Sequence, residues 1–458
     1  MNDSKIKVLE LFCGIGGMNY ALKESIINYE IIGAVDINTN SNAVYRHNFL
    51  SSCLMQRNIL SLKPAEIDKM KIDLITMSPP CQPFTRLGNK KDCIDPRTES
   101  FIHLMDDKEL MQWRCGYQFR NGDKVCFHHK KVYLTRYESL QKYCADPFAI
   151  HRRQIRSKYC FQKLMLSLKV YCILGLLTEK MKLMAVLIKN GIIEQLSRGG
   201  TLDDAMLTYG RLETKPSYIF VENVKGFEDS EARKLLIETL HSCNFHYQEF
   251  LISPRNFGIP NSRLRYYLMA KKAEKDFCFN FNGLCETIEE LKPCSACRNL
   301  IISKKNLPPS PISSYLEHLS DSHLLSLNVP DQMLLRYSKV MDIVTPDSKK
   351  SCCFTKGYGR CAEGSGSVLQ QDSSVKIDEV FHSLNSTVDV AEQIKILKSL
   401  KLRFFSPREI ANLMCFPAEF GFPSELNQKQ LFKVLGNSVN VRVISILFSI
   451  MFCSNKNI

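Results

Sequence analysis

The segment KIKVLELFCGIGGMNYALKES, residues 5–25, places an apolar-rich run, a glycine turn and a helix-like stretch end to end. The spacing predicts a strand over 5–12 and a helix over 18–25. Working outward, a second strand is expected over 29–37 and a helix over 42–49. A third strand, over 72–77, must stop at Ser78-Pro79-Pro80, because the prolines remove donors and disfavour helix. Beyond residue 215 the pattern resumes, with strands over 218–224, 247–252 and 266–270 and a helix over 232–243. Strands alternating with helices point to the α/β class, a doubly wound and mostly parallel sheet with helices on both faces. The chain returns to helix at Ser406-Pro407-Arg408-Glu409, which combines a cap, a first-turn proline and a capping-box acid.

At 458 residues, 45% hydrophobic and 24% charged, the chain has two to four domains' worth of ordinary globular composition. This excludes disorder as its main state. No membrane span is expected. The apolar stretch near residues 164–188 is broken by Lys169, Glu179, Lys180 and Lys182, and the tail at 443–452 is short against the roughly 20 residues a span needs. No apolar leader precedes the first strand, so secretion is not expected and the 19 cysteines are read as reduced thiols. The net charge of +14 suits a polyanionic partner, and residues 107–211 alone hold +10 of it. Residues 272–400 read as loop-rich.

Five features carry chemistry. The glycines at Gly14, Gly16 and Gly17 let a ligand approach backbone at a helix N-terminus, although Asn19 breaks the dinucleotide spacing. A tight structural turn explains them equally well. Asp36 ends the second strand, where an acid accepts from a ribose diol; a solvated turn residue is the plain alternative. Cys81, framed by Pro79, Pro80 and Pro83 just past a strand's carboxyl end, is placed as a nucleophile. Glu222 ends another apolar strand and suits a proton donor or an anchor for a base. Arg263 and Arg265 would share a face if they lie on a strand, and taken alone they read as surface arginines.

In combination these residues resemble the cytosine-5 methyltransferases. The resemblance rests on Cys81 within Pro-Pro-Cys-Gln-Pro-Phe, Glu222-Asn223-Val224, Arg263-x-Arg265 and Gly436-Asn437-Ser438-Val439, following Phe12-x-Gly14-x-Gly16. It spans nearly all of 5–106 and 215–456. The run 352–359, with Cys353-Phe354-Thr355-Lys356, together with 404–413 and 421–423, is similar to the branch that methylates transfer RNA.

That resemblance implies a Rossmann-like sheet that uses S-adenosylmethionine, and methylation at carbon 5 of cytosine 38 in the anticodon loop of tRNA-Asp. Cys81 would add to C6, Glu222 would hold the N3/N4 edge, Arg265 would hold O2 and Arg263 would steady the flipped nucleotide. The cofactor would lie against Phe12, Gly14, Gly16, Gly17, Asp36, Ile37, Asn58, Ile59, Asn437 and Val439. Cys353, Phe354, Thr355 and Lys356 would recognise substrate. Asn58 stands where relatives often carry Asp, and Asn261 where they carry Gln.

The domain reading places the catalytic domain at 1–106, 212–271 and 401–458, with a smaller target recognition domain at 272–400. The large departure is the basic insertion at 107–211, between nucleophile and acid. It is either an added RNA-binding module or a fragment foreign to the enzyme. Its Cys115, Cys126, His128, His129, Cys144 and Cys160 lack paired zinc spacing, and Cys294-x-x-Cys297 reads as plain thiols, so no metal is expected. The rivals are a DNA cytosine-5 methyltransferase, against which the Cys353 run and a short N-terminus argue, and an inactive nucleic-acid-binding protein. No membrane or obligate protein partner is implied. The cytoplasm is the expected compartment, with the nucleus open.

Overall fold

The computed structural model describes residues 5–25, 27–50, 53–80, 98–106, 216–273, 275, 277–279, 283–306 and 308–453. Cys81 and the insertion at 107–211 lie outside the described residues.

Among the described residues, eight strands form the main sheet: β1 (Ile6–Leu11), β2 (Tyr29–Asp36), β3 (Leu54–Gln56), β4 (Leu74–Met77), β5 (Tyr218–Val224), β6 (Phe245–Ile252), β7 (Arg265–Lys272) and β8 (Leu284–Cys285). Their order is β3-β2-β1-β4-β5-β7-β6-β8. β1 pairs in parallel with β2 and β4, and β4 in parallel with β5. β7 runs antiparallel between β5 and β6. The chain winds outward from β1 to β3 and then returns to β4 on the other side of β1. A crevice therefore opens at the carboxyl ends of β1 and β4, where ligands of such sheets bind.

Alternation along each strand feeds two cores. Val8, Leu74, Phe220, Tyr267 and Met269 face the helices Gly17–Glu24 and Val441–Met451. Leu9, Leu11, Ile75, Val221 and Leu268 face Pro64–Met70, Glu99–Asp106 and Glu231–Ser242. Ring contacts close both layers: Phe220 on Phe448 at 4.7 Å between centroids, and Phe101 on Phe227 at 5.9 Å. Truncating such a buried Phe costs about 3–5 kcal/mol. The helix Gly17–Glu24 approaches the C-terminal region so closely that a Cβ on Gly17 would lie 2.5 Å from Val439 Cγ2. Here the glycine of the turn is required by packing.

The C-terminal apolar stretch is longer than its sequence pattern indicated. Gln428–Met451 has the length and mean hydropathy of a membrane span, but most of it is buried within the protein. It divides into Gln428–Gly436 and Val441–Met451, each started by an asparagine cap, Asn427 and Asn440.

The stretch read as loop-rich contains helices at Ser295–Lys304, Asp321–Leu327, Asp331–Tyr337, Ile377–Asn385 and Val390–Lys398. They are seven to ten residues long, too short to show a strong period. The same stretch gives β8 to the main sheet. It also gives β9 (Asp342–Val344) and β10 (Ser367–Gln370), which form a three-stranded sheet with β11 (Leu402–Phe404), in the order β11-β10-β9. β10 is parallel to β9 and antiparallel to β11.

The capping box at Ser406 forms as expected, and its acid does more than cap. Glu409 is fully buried and meets Arg403 of β11 through two bonds, of 2.7 and 2.8 Å. That fork ties the small sheet to the helix Pro407–Leu413.

Candidate active site

The crevice at the ends of β1 and β4 gathers most of the residues singled out in the sequence. Phe12, Gly14, Gly17, Asp36, Ile37, Asn58, Ile59, Asn437 and Val439 line it, and so do Glu222, Arg263 and Arg265. Gly16 stands outside the lining; a Cβ there would run into the Phe49 ring.

On the β1–β2 side the wall is built from backbone. Phe12 leaves β1 with φ 55°, a conformation a bulky residue rarely adopts, and the turn continues through Gly14 at φ 54°. The Gly14 N–H donates to Asp36 Oδ2 at 2.9 Å and the Asn38 N–H to Asp36 Oδ1 at 2.7 Å. Burial pushes the Asp36 carboxyl above its ordinary range, and the N–H groups of Asn38, Gly14 and Ile37 pull it part of the way back. Next to it Ile37 is 65% exposed, an apolar surface in place for a flat heterocycle. Asn58 Oδ1 accepts from Leu60 N at 3.1 Å and from Ser100 Oγ at 3.3 Å.

The opposite wall carries the charges. Glu222 is 5% exposed at the end of β5. Ser78 Oγ donates to its Oε2 at 2.6 Å, and Arg265 Nε lies 3.5 Å from its Oε1. Ser78 is three residues before Cys81, so the start of the proline loop is fastened to Glu222. The insertion does not prevent this: Leu74–Met77 and Tyr218–Val221 pair residue for residue on either side of it.

The two arginines do not share a role. β7 begins at Arg265, and Arg263 lies before it, 2% exposed. Arg263 donates to the carbonyls of Phe354 (3.0 Å), Gly436 (3.2 Å) and Ser438. Burial, and then the neighbouring Arg265 charge, lower its pKa from the usual guanidinium value. Both guanidiniums also reach Cys353 Sγ, at 3.4 and 3.6 Å. Burial would raise the Cys353 thiol, but the charges of Arg263 and Arg265 outweigh it and leave the pKa below its ordinary value.

Residues 353–356, expected to recognise substrate, differ in what they expose. The Phe354 ring is buried against Tyr358 and Phe405. Thr355 is half-buried and Lys356 is exposed. Asn261 has its own task, donating to Ser351 Oγ (3.2 Å) and the Cys352 carbonyl (3.1 Å). It anchors the same loop.

Ser78, Arg57, Ser100 and Ser438 also line the crevice and were not singled out from the sequence. Adjacency to Pro79 and to Asn437 was the available signal for Ser78 and Ser438. Cys13 lines it too, but burial, Glu10 and Asp36 hold its thiol well above the ordinary range, so it stays protonated.

The arrangement offers a backbone cradle with one carboxylate, facing a carboxylate–arginine pair bonded to Ser78, where the chain leads on towards Cys81. Comparison with known proteins agrees. The family model for C-5 cytosine-specific DNA methylase matches residues 6–106 and 211–453, leaving 107–210 unmatched. A protein of Bos taurus named tRNA (cytosine(38)-C(5))-methyltransferase is 34% identical, over 97% of this chain and 99% of its own length. A Dictyostelium discoideum protein named DNA (cytosine-5)-methyltransferase is 30% identical over 99% of this chain and 96% of its own. The crystal structure of a mutant DNMT2 of Spodoptera frugiperda superposes with a TM-score of 0.65 at 33% identity, covering 98% of this chain and all of that one. Membership of such a family implies dependence on S-adenosylmethionine. The chain belongs to the C-5 cytosine-specific DNA methylase family, on the branch that its tRNA (cytosine(38)-C(5))-methyltransferase relatives occupy.

Proposed function

We propose that this chain methylates carbon 5 of cytosine in tRNA, with cytosine 38 of the tRNA-Asp anticodon loop as its target. The observation that carries the reading is the 2.6 Å bond from Ser78 to Glu222. It joins Glu222 to Ser78, three residues before Cys81, which supports reading Glu222 as the acid that meets the base and Cys81 as the nucleophile.

The β1–β2 wall fits S-adenosylmethionine. Asp36 would take the ribose hydroxyls, Ile37 and Ile59 would pack on the adenine, and Asn58 would meet its amino group. Phe12, Gly14 and Gly17, with Asn437 and Val439 across the crevice, would hold the amino-acid end. Bound there, the cofactor supplies the methyl group.

The protein's own residues prepare the cytosine. Carbon 5 is a weak nucleophile until C6 is attacked. The Cys81 thiolate forms a bond to C6, and the C5–C6 electron pair becomes available at C5. Glu222, carrying a proton when the base is bound, would donate it to N3 as negative charge develops on the ring, while its other oxygen accepts from the N4 amino group. Arg265, paired with Glu222, would donate to O2. After methylation a base removes the C5 proton, and elimination returns the electrons to Cys81. The target must leave its stack to reach Cys81, which costs less in a hairpin loop than in a duplex. Lys356, which is exposed, would meet phosphate.

The test is methyl transfer from labelled S-adenosylmethionine by the full-length chain, to total tRNA and to duplex DNA, with Cys81→Ala alongside. Label in tRNA that depends on Cys81, mapped to position 38, supports the reading. Label in DNA alone would replace tRNA with the substrate named for the Dictyostelium relative. No label from folded protein that binds S-adenosylhomocysteine would overturn the activity.

A further inference from the structure

Cys294-x-x-Cys297 is isolated in the sequence, yet the fold brings two more thiols to it. The Sγ atoms of Cys278, Cys294, Cys297 and Cys453 all lie within 4.8 Å of one another. Cys278 and Cys297 are 3.4 Å apart, and Cys294 and Cys453 are 3.6 Å apart. Cys278 and Cys297 are buried, and the other two are half-buried.

We infer that these four cysteines form a structural zinc site. A Zn–S bond of about 2.3 Å in a tetrahedron places sulfurs about 3.8 Å apart, within the separations found here. A cubane iron–sulfur cluster needs a wider cage. Nor is the pair in a loop, as its sequence had suggested. Cys294 caps the helix Ser295–Lys304, and the Cys297 N–H donates to Cys294 Sγ at 3.5 Å. Two thiols one helical turn apart at a helix N-terminus make the usual knuckle, where backbone N–H groups favour thiolate.

The charge is also managed. Binding of Zn²⁺ by four thiols releases four protons and leaves a net charge of −2. Lys271, at the end of β7 and 4% exposed, is within Coulombic reach of Cys278, Cys453 and Cys297. With every ligand position filled by protein, the metal would be structural rather than catalytic.

Its place in the fold gives it a purpose. Lys304, at the far end of the knuckle helix, donates to Ser445 Oγ at 2.8 Å, and its carbonyl accepts from Arg442 at 3.2 Å. Cys453 follows the end of the helix Val441–Met451. The two helices therefore run antiparallel, pinned by Lys304 at one end and by the thiols at the other. Zinc would lock the C-terminal helix, and with it Asn437 and Val439 in the crevice.

The experiment is metal analysis of the full-length chain, purified reduced and without chelator after growth with added zinc. One zinc per chain is expected. Alkylation followed by peptide mapping should show Cys278, Cys294, Cys297 and Cys453 protected until a chelator is added, with Cys361 labelled throughout. Cobalt exchange should give the spectrum of a tetrahedral tetrathiolate. The Cys294→Ser/Cys297→Ser double variant should lose the metal, whereas Cys361→Ser should keep it. Zinc-free protein with all four thiols open to alkylation would overturn the site. Disulfides joining these cysteines would do so too, as would zinc retained by the double variant. The protection map on the unmodified chain decides the matter even if that variant fails to fold.

Discussion

Arg265 Nε stands 3.5 Å from Glu222 Oε1, diagonally across the antiparallel pairing of β5 with β7 in which Val224 faces Arg265. Each side chain fixes the other's rotamer, and both point into the crevice. The pair is 14% and 7% exposed in its side chains, so water screens it little. Glu222→Gln keeps the shape and can still accept from Ser78, but it has no acidic proton to give to N3 of the base. Single-turnover methyl transfer by the folded variant should fall roughly 10²–10⁴-fold. A rate within threefold of the parent would remove Glu222 from the chemistry.

Arg263 and Arg265 should fail differently. Removing Arg263 leaves the buried carbonyls of Phe354, Gly436 and Ser438 without their donor, and bonds from a charged donor are worth about 1.5–3 kcal/mol each. Arg263→Ala should cost about 3 kcal/mol or more in urea unfolding. Arg265→Lys keeps a cation beside Glu222 but loses the planar fork, so it should leave unfolding within about 1 kcal/mol and abolish most turnover. Equal stability losses in the two variants would contradict the division of labour.

The sequence shows both arginines as an alternating pair and could not separate them. What distinguishes them is tertiary: the carbonyls that bind Arg263 come from residues 91 to 175 positions away. Local signals did better where the cause was local. The glycine turn, the strand that ends at Asp36, the stop at Ser78-Pro79-Pro80 and the Ser406 cap follow from dihedral limits and capping, and all were legible. The Phe354 side chain looked like a recognition residue because it sits in a signature run. Its burial depends on Tyr358 and Phe405, which the run alone does not reveal. The cysteine cluster was illegible for the same reason, since its four members span residues 278 to 453.

Asp36 offers a direct test of the cofactor wall. Its carboxylate is oriented by two backbone N–H groups before any ligand arrives, so little ordering remains to be done on binding. Asp36→Ala should weaken binding of S-adenosylhomocysteine about 10–100-fold, the worth of a charge-assisted hydrogen bond. Titration calorimetry would measure it. Unchanged affinity would mean that the ribose lies elsewhere.

Glu10 makes stability depend on pH. It is the last but one residue of β1 and has no exposed surface, and its Oε2 accepts from the Tyr45 hydroxyl at 2.7 Å. Burial pushes its carboxyl from 4.5 to about 7, against the opposing effects of the Tyr45 hydroxyl and the Asn19 backbone. A raised folded pKa means that the folded chain holds this proton more tightly than the unfolded chain does. The contribution is therefore complete below about pH 4.5 and is lost as pH rises through about 7. Its full size is roughly 3 kcal/mol, from the 1.36 kcal/mol that each unit represents. The urea midpoint should fall between pH 6 and pH 8 in the parent chain. Glu10→Gln keeps an acceptor for Tyr45 and has no proton to lose, so its midpoint should decline less over the same interval. The two proteins should then differ most at pH 8, with the variant the more stable. Parallel pH profiles for parent and variant would show that Glu10 does not titrate in this range.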